Sequence, residues 1–265
     1  MSPFNLAQLV PSLDSGGVER GTIDLANFLS ELKFKNHIIS NGGKLVNELN
    51  SEFVIHKKLP VNTKNILKFI FIAKSIESYI KLNKINILHV RSRSPSWIVN
   101  FINNKDIKTI GSFHNVYGGN SFFKKIYNKN LSNMDYVLAI SNYVKDSIVK
   151  KYNIDNSKIT VINRGIDEKF LNKSINENNR LNFIDKLNID TNKKIILYPG
   201  RITDWKGQLR FITNFKKINR TDIVLYFVGD TKNISHVKSL NEKIKNERLS
   251  DQCKIVGKLD KEDLK

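Results

Sequence analysis

The stretch Ile195-Ile196-Leu197-Tyr198-Pro199-Gly200-Arg201-Ile202-Thr203-Asp204-Trp205-Lys206-Gly207 fixes the reading of the chain. It opens as a short apolar run, which predicts a buried parallel strand. Pro199-Gly200 breaks the run. Arg201 follows, Lys206 comes five positions later, and Gly207 leads into a helical pattern over residues 208–215. A strand, a glycine, two cations and a helix start together form a place to hold a diphosphate. Arginine supplies a planar fork of donors, lysine a mobile point charge, and the helix start free backbone N–H groups. The alternative is a solvated loop in a lysine-rich chain.

The segments after it repeat the pattern. Residues 223–228 read as a strand ending at Gly229-Asp230, 234–247 as a helix, and 254–257 as a further strand. Before it, residues 172–192 are polar and asparagine-rich, with a weak helical segment at 181–187.

The first half alternates strand and helix more fully. A strand carrying Phe4, Leu6, Gln8 and Val10 leads through Gly16-Gly17 into a helix with Ile23, Ala26 and Leu29 on one face. Adjacent glycines at a helix start let a ligand group approach the backbone, although a plain tight turn needs them equally. Further strands are expected at 37–40, 53–55, 85–90, 107–114, 135–141 and 158–162, and a long helix at 66–82. Its lysines lie on a solvated face, or on a membrane surface. Arg91 and Arg93 follow one strand, with Ser94 as cap and Pro95 in the first turn of the next helix. His114 and Asn115 follow another strand, where active sites of such sheets gather. This alternation predicts an α/β protein with parallel, doubly wound sheets. The expected division is 1–170, a connection at 171–192, and a second, incomplete domain at 193–265.

At 265 residues, two domains are the default. The net charge of +19 fits anionic partners of several kinds. No arginine-rich arm or aromatic-basic repeat points to nucleic acid. A lone cysteine, Cys253, leaves no disulfide framework and no cysteine zinc site, and a reducing, cytoplasmic compartment is expected. No two aspartates stand two apart, so a metal-binding aspartate pair is missing and no metal is expected.

Taken in order, Gly16-Gly17-Val18-Glu19-Arg20, Ser112-Phe113-His114, Ala139-Ile140-Ser141, Val161 to Asp167, Gly200-Arg201 with Lys206-Gly207, and Val228-Gly229 resemble the group 1 glycosyltransferases (glycosyltransferase family 4). The run from His89 to Trp97, with Ser112 to Gly119, is similar to a bacterial branch linked to lipopolysaccharide or other envelope glycans. The resemblance implies the GT-B fold of two Rossmann-like domains, an acceptor-side domain first and a nucleotide-sugar-binding domain second. It implies a nucleotide-diphosphate sugar as donor, no cofactor, a glycan or lipid-linked acceptor, and retention of anomeric configuration. It implies that Gly200, Arg201, Lys206 and Gly229 bind the donor and that Gly16 and Gly17 lie against its phosphates. It places His114 on the transferred sugar, so His114, Arg201 and Lys206 are the catalytic candidates. Glu19, Arg91, Arg93 and Asn115 are the acceptor-side candidates. Peripheral contact with an anionic membrane follows from a lipid acceptor. Two features depart from the family pattern. Arg164 stands where an asparagine is common, and the family's two spaced glutamates do not occur before Lys265, which is expected of a fragment. The competing readings are a non-catalytic nucleotide-sugar binder, a sugar-nucleotide epimerase of the same fold, and a basic nucleic-acid-binding protein.

Overall fold

The computed structural model describes residues 4–104, 106–119, 121–166, 172, 174–259 and 263. The chain divides into two compact units, residues 1–171 and 172–265.

In the first unit seven parallel strands form one sheet. They are β1 (Leu6–Leu9), β2 (Asn36–Ser40), β3 (Val54–Lys58), β4 (Ile87–Val90), β5 (Lys108–Phe113), β6 (Tyr136–Ala139) and β7 (Ile159–Val161), in the order β3-β2-β1-β4-β5-β6-β7. The helices are α1 (Gly17–Glu31), α2 (Ile66–Leu82), α3 (Arg93–Val99), α4 (Phe122–Lys129) and α5 (Asn142–Tyr152). The strand order reverses between β1 and β4, and the carboxyl ends of those two strands frame the crevice where such sheets bind ligands.

The sequence dictates these elements locally. On α2, Phe69, Ile72, Ala73, Ile76 and Ile80 fall at helical spacing and enter the core. Asn65 caps that helix by accepting from the Leu67 N–H. Ser141 caps α5 by accepting from the Val144 N–H, and Asn153 closes it in a left-handed conformation with φ 52°. On the other face of the sheet, Ile23 and Ala26 of α1 pack with Val10, Leu13, Ile38 and Val54. The cap of α3 is Ser92 rather than Ser94. Ser94 lies inside the helix and donates its hydroxyl to the Thr63 carbonyl, so its hydrogen bond is spent on packing rather than on a helix end.

The second unit holds three parallel strands, β8 (Lys194–Pro199), β9 (Ile223–Val228) and β10 (Cys253–Gly257), in the order β10-β9-β8. Its helices are α6 (Glu177–Leu187), α7 (Gln208–Lys217) and α8 (Ile234–Asn246). Ile212 and Phe215 of α7 and Leu240 and Ile244 of α8 pack on Leu225 and Phe227 of β9. All six residues of β9 are buried. The expectation of a buried strand at 195–199 is corrected here. β8 is an edge strand, and Ile195 and Leu197 remain 50% and 47% exposed. They lie on a face that α6 overlies without burying any residue of its own. An apolar run therefore marks a sheet strand but not whether both its faces are covered.

Candidate functional site

In the first unit the site is built where β1, β4 and β5 end and α1 begins. Gly16 takes φ 137°, a conformation open to glycine, and Gly17 is the first residue of α1. Glu19 lies in the first turn, where a carboxylate complements the helix dipole. A Cβ added to Gly16 would stand 2.5 Å from the Glu19 carboxylate.

Arg91, just past β4, is only 7% exposed. Its guanidinium donates through Nη1 to Gln8 Oε1 at 3.0 Å, and Gln8 in turn donates to the Thr22 carbonyl of α1. Glutamine inside the central strand is thus satisfied by holding an arginine. Burial and the nearby Arg164 charge lower the Arg91 pKa to about 10, against the pull of Asp24 and Glu19. It still carries its charge at neutral pH, and its Nε finds no partner among the described residues.

His114 follows β5. Arg164 Nη2 lies 3.1 Å from its Nδ1, and Arg164 Nη1 donates to the Gly17 carbonyl at 2.7 Å. Burial, then the charges of Arg91 and Arg164, push the His114 pKa down to about 3, so the ring is neutral throughout the ordinary pH range. Its Nε2 is buried without a partner among the described residues. His89 sits beneath, sharing a 2.6 Å hydrogen bond with Ser112, and burial holds its pKa well below the usual histidine range. The result is a packed set of neutral imidazoles and buried guanidinium beside a helix start, a surface that donates hydrogen bonds to hydroxyls and anions.

Of the acceptor-side candidates, Glu19 and Arg91 belong to this cluster. Arg93 is turned to other work. Its guanidinium stacks on Tyr117 at 3.9 Å and donates to Asn128 Oδ1 at 2.7 Å, which pins the 114–119 loop and α4 to α3. Asn115 accepts from the adjacent Val116 N–H and is exposed.

In the second unit the loop after β8 is tied down on all sides. The Gly200 N–H donates to the Val228 carbonyl at 2.7 Å, and the Ile202 N–H to the Asp230 carbonyl at 3.0 Å. Gln208 at the start of α7 donates to the Arg201 carbonyl, and the Tyr198 hydroxyl donates to that of Lys206. Ile202 is fully buried and anchors the loop. Gly207 takes the left-handed conformation, φ 79°, that turns the chain into α7. Gly229 is required by close approach. A Cβ there would overlap the Gly200 carbonyl and stand 2.9 Å from the Arg201 nitrogen. This fixed backbone presents two exposed cations, Arg201 at 5.9 Å and Lys206 at 4.5 Å from the Trp205 ring.

The profile of Glycosyltransferase Family 4 matches residues 15–170, and that of Glycosyl transferases group 1 matches residues 179–265. The chain belongs to glycosyltransferase family 4. Among solved structures, a glycosyltransferase from Rickettsia africae is 34% identical with a TM-score of 0.84, covering 100% of this chain and 71% of its own. The Anabaena Alr3699/HepE structure in complex with UDP and glucose is 16% identical with a TM-score of 0.80, covering 98% of this chain and 71% of its own. At that identity the likeness speaks for the fold, which is GT-B. The O-antigen chain mannosyltransferase RfbU of Salmonella typhimurium is 37% identical over 76 residues, 26% of this chain, and the match spans 22% of its length.

Two contributors to the loop of the second unit carry no signal in the sequence reading. Trp205 stands beside both cations, and Gln208 holds the loop backbone. Arg164 was flagged only as a departure. Its partners, Gly17 and His114, lie 147 and 50 positions away, so no local pattern announces the contact. Among the described residues no group of three or more His, Cys, Asp or Glu could hold a metal ion.

Proposed function

We propose that this chain transfers a sugar from a nucleotide-diphosphate sugar to a glycan or lipid-linked acceptor, with retention and without a metal. The observation that carries the reading is the loop from Gly200 to Gly207. Its backbone is locked by hydrogen bonds, its two cations are exposed, and α7 starts directly after it. In this reading the guanidinium of Arg201 and the amine of Lys206 neutralise the diphosphate as it departs. Donors aimed at charge that develops in the transition state are worth roughly 3 kcal/mol each. The departing phosphate oxygen takes the proton of the acceptor hydroxyl, the new glycosidic bond forms on the face from which the diphosphate leaves, and the neutral His114 orients the sugar.

UDP and glucose in the Anabaena structure make a nucleotide-sugar donor the first class to try. The test is incubation with a panel of nucleotide sugars and lipid-linked glycan acceptors, in a chelator, followed by NMR of the product. The proposal expects a new glycosidic bond with the donor's anomeric configuration. Inversion would remove the front-face mechanism. A changed sugar nucleotide without acceptor would point to an epimerase, and donor binding without turnover to a non-catalytic binder.

Membrane contact belongs to the same proposal. On α4, Phe122 and Phe123 are 71% and 81% exposed and stand beside Lys124, Lys125 and Lys129. On α2, Ile66, Leu67 and Phe71 are exposed beside Lys68 and Lys74. Aromatic and aliphatic side chains among lysines suit the interface of an anionic bilayer, and a lipid-linked acceptor would be presented there. Among the described residues no helix is long and apolar enough to cross a membrane. Co-sedimentation with phosphatidylglycerol vesicles, weakened by salt and by Phe122→Ser with Phe123→Ser, is the expected result. Equal binding to phosphatidylcholine would remove the electrostatic part.

A further inference from the structure

We propose that Arg164 is a positioning residue that fixes His114 as the Nε2–H tautomer, so that this N–H is presented as a donor to the transferred sugar. The role assigned to the sugar rests on the function proposed above; the tautomer itself does not.

A guanidinium has five donors and no acceptor. Contact between Arg164 Nη2 and His114 Nδ1 at 3.1 Å therefore requires a lone pair on Nδ1. In a neutral imidazole the proton must then sit on Nε2. That nitrogen is buried and meets no acceptor among the described residues. A buried donor without a partner is rare in folded proteins and marks a place where a ligand completes the hydrogen bonding. Arg91 and Arg164 both oppose a second proton on the ring, and His89 beneath them adds no negative charge.

The second arm of Arg164 gives the guanidinium another anchor. Nη1 donates 2.7 Å to the carbonyl of Gly17, the first residue of α1. A Cβ on Gly17 would lie 2.6 Å from that nitrogen. Glycine thus admits the guanidinium, and the guanidinium bridges helix start and imidazole. An asparagine in its place would offer a carboxamide that can donate or accept, so it would not dictate a tautomer. Arginine does.

The test is long-range ¹H–¹⁵N NMR on the whole chain with labelled histidine, His114→Gln identifying the signal. Wild-type protein is expected to show a neutral ring protonated at Nε2 at pH 7. Arg164→Met should convert it to a mixture or to the Nδ1–H form, while Arg164→Lys, which keeps a donor, should hold part of the Nε2–H population. An Nδ1–H ring in the wild type, or an unchanged ring in a folded Arg164→Met protein, overturns the proposal. Affinity separates it from a general structural role. Arg164→Met should weaken UDP- or GDP-hexose binding about tenfold, the loss of one hydrogen bond, and leave UDP or GDP within about twofold. Equal weakening of both would contradict the sugar-facing role. If no nucleotide binds the wild type, the functional reading fails and the NMR result alone decides the tautomer.

Discussion

The two candidate sites, one in each unit, are built on opposite plans. In the first unit the guanidinium of Arg91 and the imidazole of His89 are sunk into the fold, and the exposed Arg164 reaches His114 from the surface. Arg91 is held by Gln8, His89 by Ser112, and His114 by Arg164 from beyond the edge strand β7. In the second unit the backbone is sunk and the charges stand free on it. Ile202 and the carbonyls of Arg201 and Lys206 are fixed, while the two cations face solvent beside Trp205. The difference separates two ways of preparing for a ligand. Buried groups are preorganised and have little freedom left to lose on binding. Exposed cations keep their hydration until a diphosphate displaces it, so their worth appears only with ligand present.

Substitutions at two glycines should expose that contrast most strongly. Gly229→Ala drives a Cβ into the Gly200 backbone, which cannot swing away. It should cost about 2–3 kcal/mol and abolish nucleotide binding, read by thermal melting and titration. Gly17→Ala meets only the end of the Arg164 side chain, so it should cost less stability than Gly229→Ala while disturbing His114. Equal destabilisation by the two would erase the distinction.

Arg201→Ala and Lys206→Ala should each lower the rate of transfer by about two to three orders of magnitude without lowering the melting temperature. A large loss of stability instead would mean that these side chains hold the fold.

The buried imidazoles predict a pH response confined to the first unit. His114 has a folded pKa of about 3 and His89 one well below its usual value. Their unfolded forms take up protons near pH 6.5, so the unfolded state binds more protons between the two values. Stability should therefore be flat above about pH 6.5 and fall as pH drops toward 3. Hydrogen exchange should show β4 and β5 loosening before β8 and β9 in the upper part of that window, between about pH 6.5 and 5, above the range in which Glu247 and Asp222 of the second unit take up protons. Parallel loosening of both sheets would remove the histidines as the cause.

The smallest effect is expected at Arg93. Its contacts with Tyr117 and Asn128 predict that Arg93→Ala costs about 1–2 kcal/mol of stability and leaves acceptor affinity unchanged. A selective loss of acceptor affinity would restore it to the acceptor side.

Much of this frame was readable from residue order. Residues 66–82 and 223–228 fold as α2 and β9 with the bounds that periodicity gave. Ser141 carries its reason locally, in the cap it makes to Val144. The exposure of β8 was not readable, because an apolar run is the same whether one neighbour or two lie beside it. Nor was the cap at Ser92, since a serine two positions on offered the same chemistry. Arg164 shows the deeper limit. Its meaning comes from a carbonyl 147 positions away, and the only sequence signal was that an arginine stood where the family pattern has an asparagine.

Calorimetric titration of UDP and GDP into the chain in excess chelator tests the diphosphate grip most directly. With Arg201 and Lys206 as the counter-charges, one of the two nucleotides should bind without divalent metal, and the affinity should fall at least about tenfold in Arg201→Ala and again in Lys206→Ala. Binding that appears only with magnesium, or that survives both substitutions unchanged, would contradict the account.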